Sequence, residues 1–380
     1  MVIALYLTAF ISLVIGMGAI FTLVEKFPVK LLYYHYHFRK PLIWILFIAS
    51  FGTQINNLSN GVSLNAIPPL AIIGLTVILT YKVHQSNWFK AVSYPEMTTD
   101  FDTLPLADEE EMALVDYEGV IKAYPLNYVI HHHVVNDQFK DKIVALTYCA
   151  MCRSIIPFDV TEIGPLFVAS FKNANMILAD KKTGTFFQQA TFHSIIGKLA
   201  PLSLQMITFQ ILPWKTVKQL KNKPQVAIVN KNDLRPFKLP MPGVWKKVMS
   251  SDLTPGLSNK DKTFPSKTYV IGITDPSINE RVFYLKSEIL QQVVVKNKKL
   301  DFTLISTGST VNGFKSKNIN LILKDNQIIE DTLTKTNWDF VGKYLNGSLE
   351  NDLEKISILD GYWFSWKKFH PKSKLLRLNK

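Results

Sequence analysis

Two cysteines in 380 residues are too few for a disulfide-built scaffold. Charged residues make up only 19% of the chain and hydrophobic ones 47%, which excludes an intrinsically disordered protein. Glycine (17) and proline (19) are too sparse and too scattered for a collagen-like or low-complexity chain. No G-x-x-x-x-G-K-[ST], no G-x-G-x-x-G after a strand and no G-x-S-x-G occurs, so nucleotide use and α/β-hydrolase chemistry lack support. No nucleic-acid motif accompanies the net charge of +13, and no nucleic acid is expected as a partner.

What is present begins with long uncharged stretches. Val2 to Val24 carries no charge over 23 residues, enough to span a hydrocarbon core of about 30 Å. No small-residue cleavage site precedes Glu25, so it reads as an uncleaved anchor rather than a signal peptide. A second uncharged run, Pro41 to Tyr81, is divided by the turn signal Asn56-Asn57-Leu58-Ser59-Asn60-Gly61. Residues 1–86 are thus expected to form a multi-pass anchor with helices near 2–24, 41–56 and 66–82, and the lipid bilayer as partner. Lys26, Lys30, Arg39 and Lys40 in a 25–40 loop place that loop and the body on the cytoplasmic side; a different helix count puts the body outside the cytoplasm.

Residues 87–110 read as an acidic, solvated linker through Asp100, Asp102, Asp108, Glu109 and Glu110. Short apolar runs then alternate with turn signals. Ala113–Tyr117 and Val120–Tyr124 flank Glu118-Gly119 as a hairpin. Pro125 can open a short helix, and 143–148 and 166–171 read as buried strands. Asn136-Asp137 reads as a turn, and Asp180 to Gly184 as another. Prolines punctuate 235–267, a connection between a first half at 111–234 and a second at 268–380.

The second half repeats the first in order. Tyr124 matches Tyr284; Asp180, Thr183 and Phe187 match Asp331, Thr334 and Trp338; Gly197 matches Gly347; Trp214 matches Trp363. Ordered blocks with drifting offsets indicate duplication. The expected fold is α+β and β-rich: transmembrane helices, then a duplicated, pseudo-symmetric, mainly antiparallel β body. Its last residues, Lys367 to Lys380, form a basic tail suited to anionic lipid headgroups, or simply a solvated one.

Cys149 and Cys152 stand as Cys-Ala-Met-Cys, a spacing that lets two sulfurs form a disulfide or share a metal. The alternative is a pair of small buried core residues. Pro157 and the β-branched residues after Arg153 oppose the helix that a thioredoxin-type site needs. Two thiolates need further ligands to hold Zn, although Cu(I) accepts two or three. His132, within His131-His132-His133, is the candidate third ligand, or a base pairing with Cys149 as nucleophile. If its segment pairs antiparallel with 143–148, His132 comes back opposite Cys149.

At Ala123-Tyr124-Pro125, His132 to Asp137, Thr147 through Cys152, Asn173-Ala174-Asn175, Asp180 through Thr185, Gln189, Trp214 and Trp363 to Pro371, the chain resembles the DUF3179 family. It departs from that pattern at His133 and Phe187. The resemblance implies an architecture and a site location but no reaction. It points to Asn173, Asn175, Asp180 and Gln189 as a polar pocket beside the cysteines; loop-holding hydrogen bonds are the other reading of these residues. Many relatives look exported. Two function classes follow: a thiol-redox or metal-binding protein, and a non-enzymatic binding or scaffold module whose cysteines are structural.

Overall fold

A computed structural model describes residues 2–56, 64–229, 250–258, 261–325 and 328–378. Helix Val2–Gly16 ends at Gly16-Met17-Gly18 and continues as a 3-10 turn, Gly18–Leu23. The next helix is Val29–Asn56, with Pro41 inside it. The stretch 25–40 is therefore mostly helical rather than a loop. Lys30, Arg39 and Lys40 lie on that helix among aromatics, and Arg39 is buried, bonding to the carbonyl of Tyr36. The expected turn at 57–61 lies outside the described residues. A third helical stretch, Leu64–Lys82, is 19 residues long.

Only Leu64–Lys82 is both long and apolar enough to cross a membrane among the described residues. This corrects the expectation of three spans and removes the basis for assigning a side. Most exposed large apolar side chains, such as Phe10, Ile45, Ile48, Leu75 and Ile78, do lie on these helices. Tyr33 and Tyr36 of the second helix pack on Phe186 and Phe167 of the β body. Lys172 Nζ donates to the carbonyls of Val24 and Glu25 at 2.9 and 2.7 Å. The helical segment is thus docked on the body.

The body is α+β, with several mostly antiparallel sheets. Hairpin Glu111–Tyr117/Val120–Pro125 turns at Glu118-Gly119, both at positive φ as a two-residue turn requires. Phe209–Pro213 pairs antiparallel on one side of it and Gln225–Ala227 parallel on the other. Pro125 caps helix Leu126–His132. Then come Val134–Phe139, Lys142–Cys149 and Ser154–Asp159, followed by the sheet Leu166–Lys172, Asn175–Asp180, Phe186–Gln188 and Ser194–Ile196.

Asn136-Asp137 is not a turn but mid-strand; the chain turns at Lys140-Asp141. The polar pair tolerates burial because Asn136 bonds both backbone groups of Leu166 (2.8 and 3.0 Å) and Asp137 meets Lys122 at 2.8 Å. The acidic stretch is no free linker either. Val92–Ser93 and Met97–Thr98 add strands to two sheets, and Asp108 and Glu109 pair with Lys218 and Lys215.

Residues 269–375 run through Tyr269–Ile273, Val282–Leu285, helix Lys286–Gln292, then a three-stranded and a four-stranded sheet. They close with Ile358–Tyr362, helix Trp363–Phe369 and Lys374–Leu375, which pairs parallel with Val282–Leu285. Residues 230–249 of the proline-rich connection lie outside the described residues; further on, Phe264 packs edge-on against Trp363. One core cluster joins Ile156, Phe158 and Phe187 to Val270, Trp363 and Trp366. A second joins Leu212 and Trp214 to Phe314, Trp338 and Phe340. At about 25 cal/mol per Å² of apolar area, such shared cores bind the two parts into one body.

Candidate functional site

The hairpin Lys142–Cys149/Ser154–Asp159 ends in the pair Cys149–Ser154, and Ala150 to Arg153 make the turn. Alternating β-branched and apolar residues build its two strands. Arg153 adopts φ 52°, so both cysteines sit on a tight strand-to-strand turn and not at a helix N-terminus. Both thiols are free and fully buried.

The two sulfurs have unequal surroundings. Asn175 Nδ2 donates to Cys152 Sγ at 3.1 Å, and Ser154 Oγ lies 3.2 Å from it. Ser365, from the last helix, also bonds to it, as does the Cys149 thiol. Cys149 Sγ lies 4.0 Å from the Ala174 carbonyl. Burial opposes ionisation of Cys152, yet hydrogen bonds from Cys149, Ser154, Asn175 and Ser365 outweigh it and bring this thiol down to about 7. Burial, and then the neighbouring Cys152 sulfur, hold Cys149 well above its ordinary value. The pair is one readily ionised thiol facing one that holds its proton.

Behind the sulfurs lies a closed amide–hydroxyl network. Asn175 Nδ2 also reaches Gln189 Oε1 at 3.2 Å, and Gln189 Nε2 donates to Thr147 Oγ1 at 3.0 Å. Asn175 Oδ1 accepts from Gln188 Nε2 (2.5 Å) and Ala190 N (3.1 Å). With each amide satisfied on both ends, Asn175 keeps one donor aimed at sulfur.

The later part of the chain closes the site. Tyr362 N donates to the Cys152 carbonyl at 3.0 Å. A Cβ on Gly361 would lie 3.2 Å from that carbonyl, so glycine permits the close approach. A cavity of about 30 Å³, room for roughly two waters, remains between Cys152, Ser154, Ala190, Gly361 and Ser365.

Of the residues expected from sequence, the fold brings Asn175 and Gln189 to Cys152. It does not bring the others. Asn173 and Ala174, at φ 53° and 54°, form the hairpin turn before Asn175. Asp180 holds its own turn, accepting from Thr183 Oγ1 (2.8 Å) and Thr185 N (2.9 Å). His132 turns its ring to the Lys90 carbonyl, 2.9 Å away, and against Tyr128. His133, at φ 61°, packs on Phe89 and is buried like His132. Residues 134–149 do pair antiparallel as the His132 argument required, but the helix over Leu126–His132 swings the imidazole away from the strand end. Among the described residues no group of three or more His, Cys, Asp or Glu is placed to hold a metal ion, so the Zn reading through His132 has no ligand set.

Ser154 and Ser365 escaped the sequence reading. Isolated serines carry no motif, and Ser365 reaches the site only through tertiary packing. The serine directly following Cys152-Arg153 in a strand was the one available local signal.

No curated protein and no solved structure matches the chain. The family model described as a protein of unknown function (DUF3179) matches residues 89–373, which hold the whole thiol site and well over half of the sequence, and the chain therefore belongs to the DUF3179 family.

Proposed function

We propose that this protein is a thiol-redox module, held at a membrane by its N-terminal helices, in which Cys152 attacks and Cys149 resolves. The unequal hydrogen bonding of the two sulfurs carries the reading. Three polar side chains stabilise charge on Cys152, while Cys149 stays protonated and within hydrogen-bonding reach. The small cavity limits the oxidant to something of about the size of hydrogen peroxide. The Cys152 thiolate attacks one peroxide oxygen and the O–O bond breaks, giving Cys152 sulfenic acid and hydroxide. The Cys149 sulfur then attacks Cys152 sulfur, its proton leaves with the departing hydroxyl as water, and the disulfide forms. The sum is two thiols plus peroxide giving a disulfide and two waters.

Duplication accounts for the confinement of this chemistry to one half. Its support is local. Thr183 and Thr185 on Asp180 are matched by Thr334 and Thr336 on Asp331, down to the 2.7 and 2.9 Å hydroxyl contacts. Tyr148 N bonds the His133 carbonyl as Ser306 N bonds that of Val293. On this alignment Cys149 corresponds to Thr307 and Ser154 to Thr310. The four-residue turn holding Cys152 is replaced by Gly308-Ser309, and Gln189 by the buried Phe340. The membrane reading rests on Leu64–Lys82 and the apolar helices beside it. The basic tail adds little, because Lys368, Lys374 and Arg377 already face Glu25, Glu280 and Glu288.

Stoichiometric peroxide added to the native full-length protein tests the chemistry. Wild type should lose two hydrogens by intact mass, and Cys149→Ala should yield a trappable sulfenic acid. Cys152→Ala should stay inert. A native wild-type protein left unchanged by excess peroxide leaves only the structural role for the cysteines. Carbonate extraction tests the anchor: release of the full chain into the supernatant rules it out.

A further inference from the structure

The turn that carries the cysteines also presents Arg153 to a second and much larger space. A cleft of about 640 Å³ lies where the two parts of the body meet, within the size range of small-molecule sites. Its charged wall is built around one ring. Arg153 Cζ sits 5.3 Å from the centre of the Tyr269 ring, and Lys286 Nζ sits 5.5 Å from it. Lys286 is ion-paired to Asp360. Arg153 forms no ion pair with a carboxylate among the described residues; it hydrogen-bonds with the Tyr362 side chain, lies near the hydroxyls of Tyr148 and Tyr269, and feels the Asp360 carboxylate, which Lys286 already neutralises. A half-buried guanidinium held on an aromatic face and bonded to a tyrosine rather than a carboxylate keeps N–H donors of its fork for an oxyanion.

The rest of the cleft sets the other end of the ligand. Leu126 and Ile211 line it from one part of the body and Leu290 from the other. Asp360 Oδ1 is buried with no hydrogen-bond partner, an acceptor open to a ligand hydroxyl or to a water carried in with it.

We propose that this cleft binds a small organic anion, with a carboxylate or phosphate head on Arg153 and an apolar body against Leu126, Ile211 and Leu290. The proposal does not depend on the thiol chemistry, because Arg153 and Cys152 face different cavities. Where the thiol reading fails, this one still stands or falls on affinity.

The experiment is calorimetric titration of the full-length protein with benzoate, phenyl phosphate, inorganic phosphate and anilinium. Benzoate or phenyl phosphate should bind, and preference for either names the head. Arg153→Gln should weaken that binding at least tenfold with little change in Tm. Leu290→Trp, which fills the apolar end, should weaken it similarly, and Lys298→Gln on the surface should leave it unchanged. Should Arg153→Gln not fold, Arg153→Lys keeps the charge but loses the fork, and a several-fold weakening is expected. Inorganic phosphate binding as tightly as phenyl phosphate, anilinium binding equally well, or Arg153 variants of unchanged affinity would each overturn the proposal.

Discussion

Ser154→Ala separates a tuned thiolate from two core cysteines. Ser154 Oγ lies 3.2 Å from Cys152 Sγ and 3.3 Å from Gln189 Oε1. Removing the hydroxyl leaves no orphan behind it, since Gln189 Oε1 keeps Asn175 Nδ2 at 3.2 Å. The fold should therefore lose only about 1 kcal/mol, the net worth of an ordinary hydrogen bond. The thiolate loses more. A hydrogen bond to a charged group contributes roughly 1.5–3 kcal/mol against roughly 0.5–1.5 for a neutral pair. The difference, about 1.4 kcal/mol, is about one pKa unit. Cys152, at about 7 in the wild type, then titrates higher. At pH 7 the thiolate fraction falls from roughly half to roughly a tenth. The assay is the pH profile of peroxide oxidation of the native full-length protein, read by mass on the Cys152 peptide. The rate at pH 7 should fall about fivefold while the alkaline plateau stays put. A profile whose midpoint does not move in Ser154→Ala refutes the account of how Cys152 is tuned.

The same pair makes stability depend on pH. Cys152 is lowered from 9.0 to about 7, so its contribution is complete above the unfolded value and is lost as pH falls through the folded one. Cys149 is raised, so its contribution runs the other way and falls as pH climbs past 9.0. Denaturant titrations should thus show stability rising by about 1 kcal/mol per pH unit from 7 to 9, and Cys152→Ala should flatten that rise. Gly197→Ala and Gly347→Ala should each cost about 2–3 kcal/mol in the same assay: both glycines hold φ beyond 110°, and an added Cβ would meet the backbone of Thr185 or Thr336 within 2.7 Å. Two tolerated substitutions would remove this support for duplication. Lys122→Met should cost about 3 kcal/mol by removing the counter-ion of the buried Asp137, which keeps only the Tyr124 hydroxyl and Gln138 N, and Lys122→Met with Asp137→Asn should recover part of it; equal losses in both would contradict a charge-based cost.

How much of this was legible follows from where each constraint resides. The hairpin at Glu118-Gly119, the helix after Pro125 and the strands either side of the cysteines announce themselves locally, because two-residue turns, proline and β-branched runs restrict their own backbone. Asn136-Asp137 misled because local polarity resembles a turn. Its burial depends on Leu166 and Lys122, and no window around position 136 contains them. The segment 25–40 misled for the converse reason: scattered cations suggest a loop, whereas Tyr33 and Tyr36 commit it to a helix by packing on Phe186 and Phe167. At the site, the family resemblance located Asn175 and Gln189, but neither resemblance nor spacing could separate them from Asp180, which serves its own turn. The residues that set the chemistry most sharply were the least visible. Ser365 and Gly361 are donated by the far end of the chain, and Arg153 meets Tyr269 only when the two parts of the body close on each other. A site at a seam is specified by the packing of two surfaces, so its sequence signature is split between segments that are silent apart. The one residue legible from both sides is Cys152: its sulfur faces the network of the first part, and its carbonyl receives the backbone of the second. Any motion that parts the seam therefore opens the small cavity, lets water reach the sulfur and withdraws the Ser365 hydrogen bond together; relief of burial is the larger of these effects, so the thiol pKa falls as larger reagents are admitted. Reactivity toward bulky alkylating agents should consequently show a more acidic midpoint than reactivity toward peroxide, and coincident midpoints would place the reactive thiol outside the closed seam.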